Sequence, residues 1–187
     1  MHRGRKTCRI RGSMMLEVAV ASVLSLIILM LLVNTQLSVL RCYERTIDHN
    51  TANRSTYNAL REVREIVQQA TSVSVSGASA AILLPRRDGN GRFITPLQAD
   101  TANPVQLQVN FSLGQLRLTQ NGQTRVLLTN LVNRTPQGVS YTPFSVQQIA
   151  PGVTAFHIRL SVQQGQDTNA PYLWYEETIL LRNAVQN

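Results

Sequence analysis

Few side chains in this 187-residue chain have the types and spacing that chemistry needs. Of the three histidines, His2, His49 and His157, none has a cysteine or a second histidine at metal-ligand spacing. His157 alternates with apolar residues and reads as a polar-face residue of a strand. Glu176 and Glu177 are adjacent, so on a strand they point to opposite faces and cannot act as a carboxylate pair. The segment RRDGNGR, Arg86 to Arg92, lacks both the Lys-Ser/Thr of a phosphate loop and the oxygen spacing of a calcium loop. It reads as a solvated hairpin tip. With no nucleophile–base pair and no metal constellation, neither an enzyme nor a bound cofactor is expected. One carboxylate remains in an unusual place. Glu17 stands at the start of an apolar run, and from Val18 to Val33 that run has no charge, Gly or Pro.

The charge around this run is lopsided. Arg3, Arg5, Lys6, Arg9 and Arg11 fall in the first twelve positions, where there is no acid. The chain has 18 basic and 10 acidic residues, so without those five the balance is 13 to 10. The high pI of about 10.5 is therefore largely a property of the N-terminal segment and argues against a nucleic-acid partner. Basic residues directly before an apolar run instead orient a membrane segment, with the N-terminus in the cytoplasm and the rest outside. An α-helix needs roughly 20 residues to cross ~30 Å of hydrocarbon, and Ser13 to Val33 has that length. A buried core helix is disfavoured, because the run shows no polar face and follows a basic cluster. A secretory signal would be followed by a small-x-small cleavage site, where NTQLSVLRCYER stands instead. A retained anchor fits best.

An ordinary anchor does not account for Glu17. An ionised side chain deep in a membrane helix costs about 3 kcal/mol on insertion scales, less near the end, so it implies a partner. If the chain were cut between Gly12 and Ser13, the new α-amino group would lie one helical turn from Glu17. The carboxylate would then occupy the first turn, where the helix dipole favours it, and it would also reach the amino group of a parallel neighbouring chain.

The short basic leader, Gly12, the uncharged Ser13, Met14, Met15 and Leu16, then Glu17 and the aliphatic run resemble the cleavage and methylation segment of type IV prepilins and pseudopilins. The resemblance covers about the first fifth of the chain. It implies that a membrane-embedded prepilin peptidase cuts after Gly12 and methylates the amino group of Ser13. It further implies that the anchor packs in the core of a hetero-oligomeric filament of pilins or pseudopilins, and that Glu17 pairs with the N-terminus of an adjacent subunit. The family usually has Phe where this chain has Ser13. The location implied is the bacterial inner membrane, with a single pass, and then a pilus or periplasmic pseudopilus. Asn53, Asn110 and Asn133 match the glycosylation pattern but carry little weight in a bacterial chain.

The elements that must position this segment follow from periodicity. After the anchor, Leu37, Leu40, Tyr43 (or Cys42) and Ile47 recur at helical spacing, as do Tyr57, Leu60, Val63, Ile66 (or Val67) and Ala70. One helix from about Met14 to Ala70 is expected, roughly 85 Å long at ~1.5 Å per residue. The second stripe should lie against a sheet. Arg61 and Glu65 read as solvent-face neighbours. From Thr71 the period becomes that of strands: VQLQVNF alternates, QLRLTQNGQTRVLL offers two strands about Asn121-Gly122, and AFHIRLSV and YLWYEETILLRN supply two more. QQGQDTNAP, between these last two, reads as a loop.

The expected fold class is α+β, a long N-terminal helix packed on an antiparallel sheet, as in pilin-like subunits. The segments expected are a leader at 1–12, a transmembrane or filament-core helix at 13–33, its amphipathic extension at 34–70 and the sheet domain at 71–187. Cys8 and Cys42 lie on opposite sides of the cut, so no disulfide joins them. The reading is an assembly subunit of a type IV pilus, a type II secretion pseudopilus or a DNA-uptake pseudopilus. The alternative from another class is an extracytoplasmic binding module held by an uncleaved single-pass anchor.

Overall fold

A computed structural model describes residues 8–150, 152–164 and 171–182, with side chains from Met14 onward. The long helix α1 runs Cys8–Gln69. From Ser13 to Ser76 the sequence has neither Gly nor Pro, so no residue removes a backbone donor or lowers helix propensity sharply. The chain divides into two compact units, one up to Thr46 and one from Ile47. Among the described residues, α1 is the only element of the first; the second holds the end of α1 and the strands.

Among the described residues of the second unit, eight strands form two antiparallel sheets. β1 (Ser72–Ser76), β2 (Ser79–Leu83), β3 (Val105–Asn110), β4 (Gln115–Gln120) and β5 (Gln123–Leu128) lie in chain order in the first. β6 (Phe144–Ala150), β7 (Val153–Gln163) and β8 (Tyr172–Leu180) form the second, also in chain order. The α+β layout is thus the one the patterns predict, and the meander is divided between two sheets. The division occurs after β5, where Leu131 bridges to Val162 of β7 and its amide donates to the Gly114 carbonyl at 2.9 Å. Residues 130–132 therefore hydrogen-bond to the edge of β7 that β6 leaves uncovered. Gln163 N–H donates to Asn130 O at 2.8 Å, and Val132 N–H to Ser161 O at 2.9 Å.

Alternation puts one face of each strand inside. Val105, Leu107 and Val109 of β3, Leu116 and Leu118 of β4, and Phe156, Ile158, Leu160 and Val162 of β7 are buried in one hydrophobic cluster. The helix contributes Ala59, Leu60, Val63 and Val67 to that cluster, with Ala70 buried just past its end. The expected stripe is corrected at its start: Tyr57 is 65% exposed, while Thr56 is fully buried. Thr56 tolerates burial because its Oγ1 donates to the Ala52 carbonyl at 2.7 Å, so no polar group is left unsatisfied. Tyr57 packs edge-on against Tyr175, with centroids 6.1 Å apart.

Polar contacts tie the helix to strands of both sheets. Arg125 of β5 donates to Glu62, and Arg64 donates to Glu177 of β8 at 2.5 Å, which holds the Arg64 guanidinium above its ordinary pKa. Tyr175 of β8 donates its hydroxyl to Asn53. Arg61 and Glu65 pair at 3.1 Å with both side chains mostly exposed, which contributes about 0.3–0.5 kcal/mol. The chain leaves the helix into the sheet through buried Thr71, whose N–H and Oγ1 both donate to the Leu83 carbonyl, at 2.8 and 2.9 Å.

Two glycines mark positions where backbone shape is demanded. Asn121 (φ 53°) and Gly122 (φ 74°) make the two-residue turn between β4 and β5, with Gln120 opposite Gln123, as the Asn-Gly pair predicts. Gly114 (φ 61°) turns β3 into β4, and a Cβ there would stand 3.2 Å from the Leu131 carbonyl oxygen. Gly114→Ala combines left-handed strain with a backbone clash, an expected loss of about 1–3 kcal/mol. Gly122→Ala meets nothing within 4 Å and suffers only the strain. In denaturant unfolding, Gly114→Ala should be the less stable variant; the opposite ranking would contradict the Leu131 junction.

Candidate functional site

The N-terminal half of α1 contains a stretch long and apolar enough to cross a membrane, and none of it is buried within the chain. Every large apolar side chain from Met14 to Val33 is exposed, from 48% at Val33 to 81% at Met15. Fully burying one such side chain is worth about 1.5–3 kcal/mol, so a surface of this size demands an apolar surrounding. The hydroxyl of Ser22 is satisfied inside the helix, donating to the Val18 carbonyl at 2.7 Å. It needs no water, which suits such a surrounding.

Glu17 is exposed at the start of this stretch. Counting from Cys8, it is the tenth residue of α1, and the first turn of the helix contains no acid. In the intact chain the carboxylate therefore lies beyond the turn in which the helix dipole acts. A chain beginning at Ser13 would put Glu17 in the first turn, four residues from the new amino group. The backbone of Gly12 and Ser13 is helical and continuous with Glu17. Their side-chain surroundings, like residues 1–7, lie outside the described residues.

Beyond Val33, the stripe Leu37, Leu40, Tyr43 and Ile47 is exposed, with Leu37 at 45% and Tyr43 at 64%. Burial on the sheets begins only near Ala52, which packs partly against the core. The hydroxyls of Thr35, Ser38 and Thr46 bond back to carbonyls four residues earlier, at 2.8 to 2.9 Å. Cys42 is an exposed free thiol on this segment.

In the strand region, the structure places each remaining chemical candidate. His157 lies on β7 with Nδ1 2.8 Å from Thr178 Oγ1, and its buried Nε2 has no partner among the described residues. Glu176 pairs with Arg159 at 2.8 Å and Glu177 with Arg64, so the two adjacent carboxylates serve opposite faces. The Arg86–Arg92 segment is a hairpin tip in which Asp88 Oδ1 accepts the amides of Asn90 and Arg92, at 2.9 and 2.8 Å. Asn53, Asn110 and Asn133 each accept an internal hydrogen bond, from Tyr175, Leu113 and Tyr141 respectively. Tyr141 sits edge-on between Phe111 and Trp174, and burial raises its hydroxyl above the ordinary tyrosine pKa. Among the described residues, no three His, Cys, Asp or Glu side chains are grouped to hold a metal.

One feature carries no sequence signal. A cleft of about 380 Å³ opens where the end of α1, the segment between β2 and β3, and the β4–β5 turn converge. Arg87, Phe93, Asp100, Asn103, Gln120 and Asn121 line it, spread over positions 87 to 121 of the chain. Amides scattered in this way follow no spacing rule, so only the fold reveals them. No protein-family model, no curated protein and no solved structure matches the chain.

Proposed function

We propose that the chain is a minor pilin or pseudopilin, an assembly subunit of a type IV pilus, a type II secretion pseudopilus or a DNA-uptake pseudopilus. The observation that carries this reading is the Gly12–Ser13–Glu17 spacing at the head of a helical stretch whose apolar side chains are all exposed. Exposure supports the reading because side chains with no place in their own chain's core are available to lipid first and to neighbouring anchors afterwards. The head supports it too: only the last turns of α1 dock on the sheets, so the exposed stripe from Leu37 to Ile47 remains available to other subunits.

On this reading the leader holds the N-terminus in the cytoplasm while the strand region is exported. The prepilin peptidase cuts after Gly12, and the chain then moves from the inner membrane into a filament of other pilins or pseudopilins. Glu17 compensates the amino group of an adjacent subunit as both leave water. The protein acts by assembly and not by catalysis. The second reading, an uncleaved anchor carrying a binding module, shares the exposed helix but gives Glu17 no role.

Processing separates the two readings. When the chain is produced in a host lacking a prepilin peptidase, with and without a co-expressed one, a shorter product should form only with the peptidase. Identical products in both cells would overturn the pilin reading.

A further inference from the structure

We infer that the cleft between the β2–β3 arm, the β4–β5 turn and the end of α1 is a binding site for a neutral oligosaccharide. β2 and β3 are hydrogen-bonded neighbours, with Ile82 opposite Val105, so a short turn would suffice to join them. Instead residues 84–104 intervene. Connections of this length in compact domains are usually either functional or disordered. This one is ordered into an arm of its own: Arg86 N–H donates to Gln98 O and Asp100 N–H to Leu84 O, both at 2.8 Å, and Arg87 bridges to Phe93. The arm is built, and the sheet does not need it.

The side chains it presents select the ligand. Arg87 is fixed by its stacking over Phe93, 4.6 Å from the ring centroid, and by donating to the Gly91 carbonyl at 3.2 Å. Asp100 is fixed by accepting the amides of Ala102 and Asn103, at 3.1 and 3.3 Å. One guanidinium and one carboxylate leave the cleft without net charge, which disfavours a phosphate or a polyanion. Gln120 and Asn121 add carboxamides, each both donor and acceptor; Asn103 adds a third, whose Nδ2 donates to Asp100 Oδ2 at 3.3 Å, and Phe93 is 52% exposed. Paired donors and acceptors match the hydroxyl groups of a sugar ring, and an exposed aromatic face or edge packs against its C–H surface. Too few apolar side chains line the cleft for a lipid or an apolar peptide. The inference rests on the second unit, from Ile47 onward, and does not depend on how the N-terminus is processed.

The test is calorimetric titration of the full chain in a detergent without a sugar headgroup. The two probes are the β-1,4-linked trisaccharide of N-acetylglucosamine and cellotriose. The first represents cell-wall glycan and the second unsubstituted polysaccharide, so whichever binds identifies the source. Saturable one-site binding of either is expected, weakened about tenfold by Phe93→Ala and by Gln120→Ala. Gln106→Ala, at an exposed position of β3 outside the cleft, should leave it unchanged. Two variants in separate segments guard against one of them simply misfolding. No saturable binding of either trisaccharide at millimolar concentration, or binding that survives both cleft variants, would overturn the proposal.

Discussion

Replacing Glu17 by Gln is expected to leave membrane insertion and cleavage intact while removing the chain from filaments. The two halves of that result come from the same physics. Glu17 lies at the edge of a stretch in which Met14, Met15, Leu16, Val18 and Val20 are all exposed and require an apolar surrounding. Neutralising a carboxylate there eases insertion by up to about 3 kcal/mol. An anchor that only holds the protein in the membrane would tolerate the change or insert better. If the carboxylate compensates a neighbouring amino group, its loss leaves that cation in an apolar filament core, and incorporation should fall by an order of magnitude or more. The readout is the amount of variant in sheared filaments or in crosslinks to partner pilins, normalised to the processed protein in the membrane. Undiminished incorporation would remove the role assigned to Glu17.

Gly12→Val should have an equally large effect one step earlier. The chain is continuous helix through this position, so on the proposed reading the peptidase must open the helix to reach the Gly12–Ser13 bond. Glycine offers a single hydrogen there, and its low helix propensity makes local unwinding cheaper by about 0.5–1 kcal/mol than at Ala. Valine removes both advantages. The variant should accumulate uncut in the membrane, with the strand region folded as before, and antibody or mass detection of the retained leader checks this. Normal processing of Gly12→Val would place the cut elsewhere.

How much of this was legible in the sequence varied with the kind of signal. Strong local periodicity read through directly: α1, the alternation of β3 and β7, and the β4–β5 turn at Asn121-Gly122 all lie where pattern and turn chemistry put them. The opposite-facing Glu176 and Glu177 followed from strand geometry alone. Elements defined by their partners did not read through. β1 and β2 consist largely of serine and alanine, SVSVS and SAAIL, and β1 is a strand because Ser72–Ser76 pairs with Ser79–Leu83. β6 has mostly exposed side chains and exists through its register with β7. The division into two sheets depends on the Leu131 junction, a tertiary contact with no local pattern.

Thr56 and Tyr57 show a limit of counting apolar residues. A threonine that bonds back to the Ala52 carbonyl can be buried, and a neighbouring tyrosine, about 100° further round the helix, can stay outside. At the N-terminus the opposite holds, since sequence says more than the fold. On the proposed reading, the spacing from Gly12 to Glu17 concerns a processing enzyme and a neighbouring subunit, neither of which is part of this chain. What the fold adds is that the apolar side chains after Glu17 have no place in their own chain's core.

The lysine content of the chain allows a direct test of the central claim. Lys6 is the only lysine, and it lies before Gly12. A chain cut after Gly12 therefore keeps a single amine, the α-amino group of Ser13. The deciding measurement is the intact mass of membrane-extracted protein before and after reductive methylation. The account predicts a mass beginning at Ser13 and carrying one N-methyl group, which gains one further methyl on treatment. A mass beginning at Met1, gaining methyls on both Lys6 and the N-terminus, or one beginning after Val33, would contradict it.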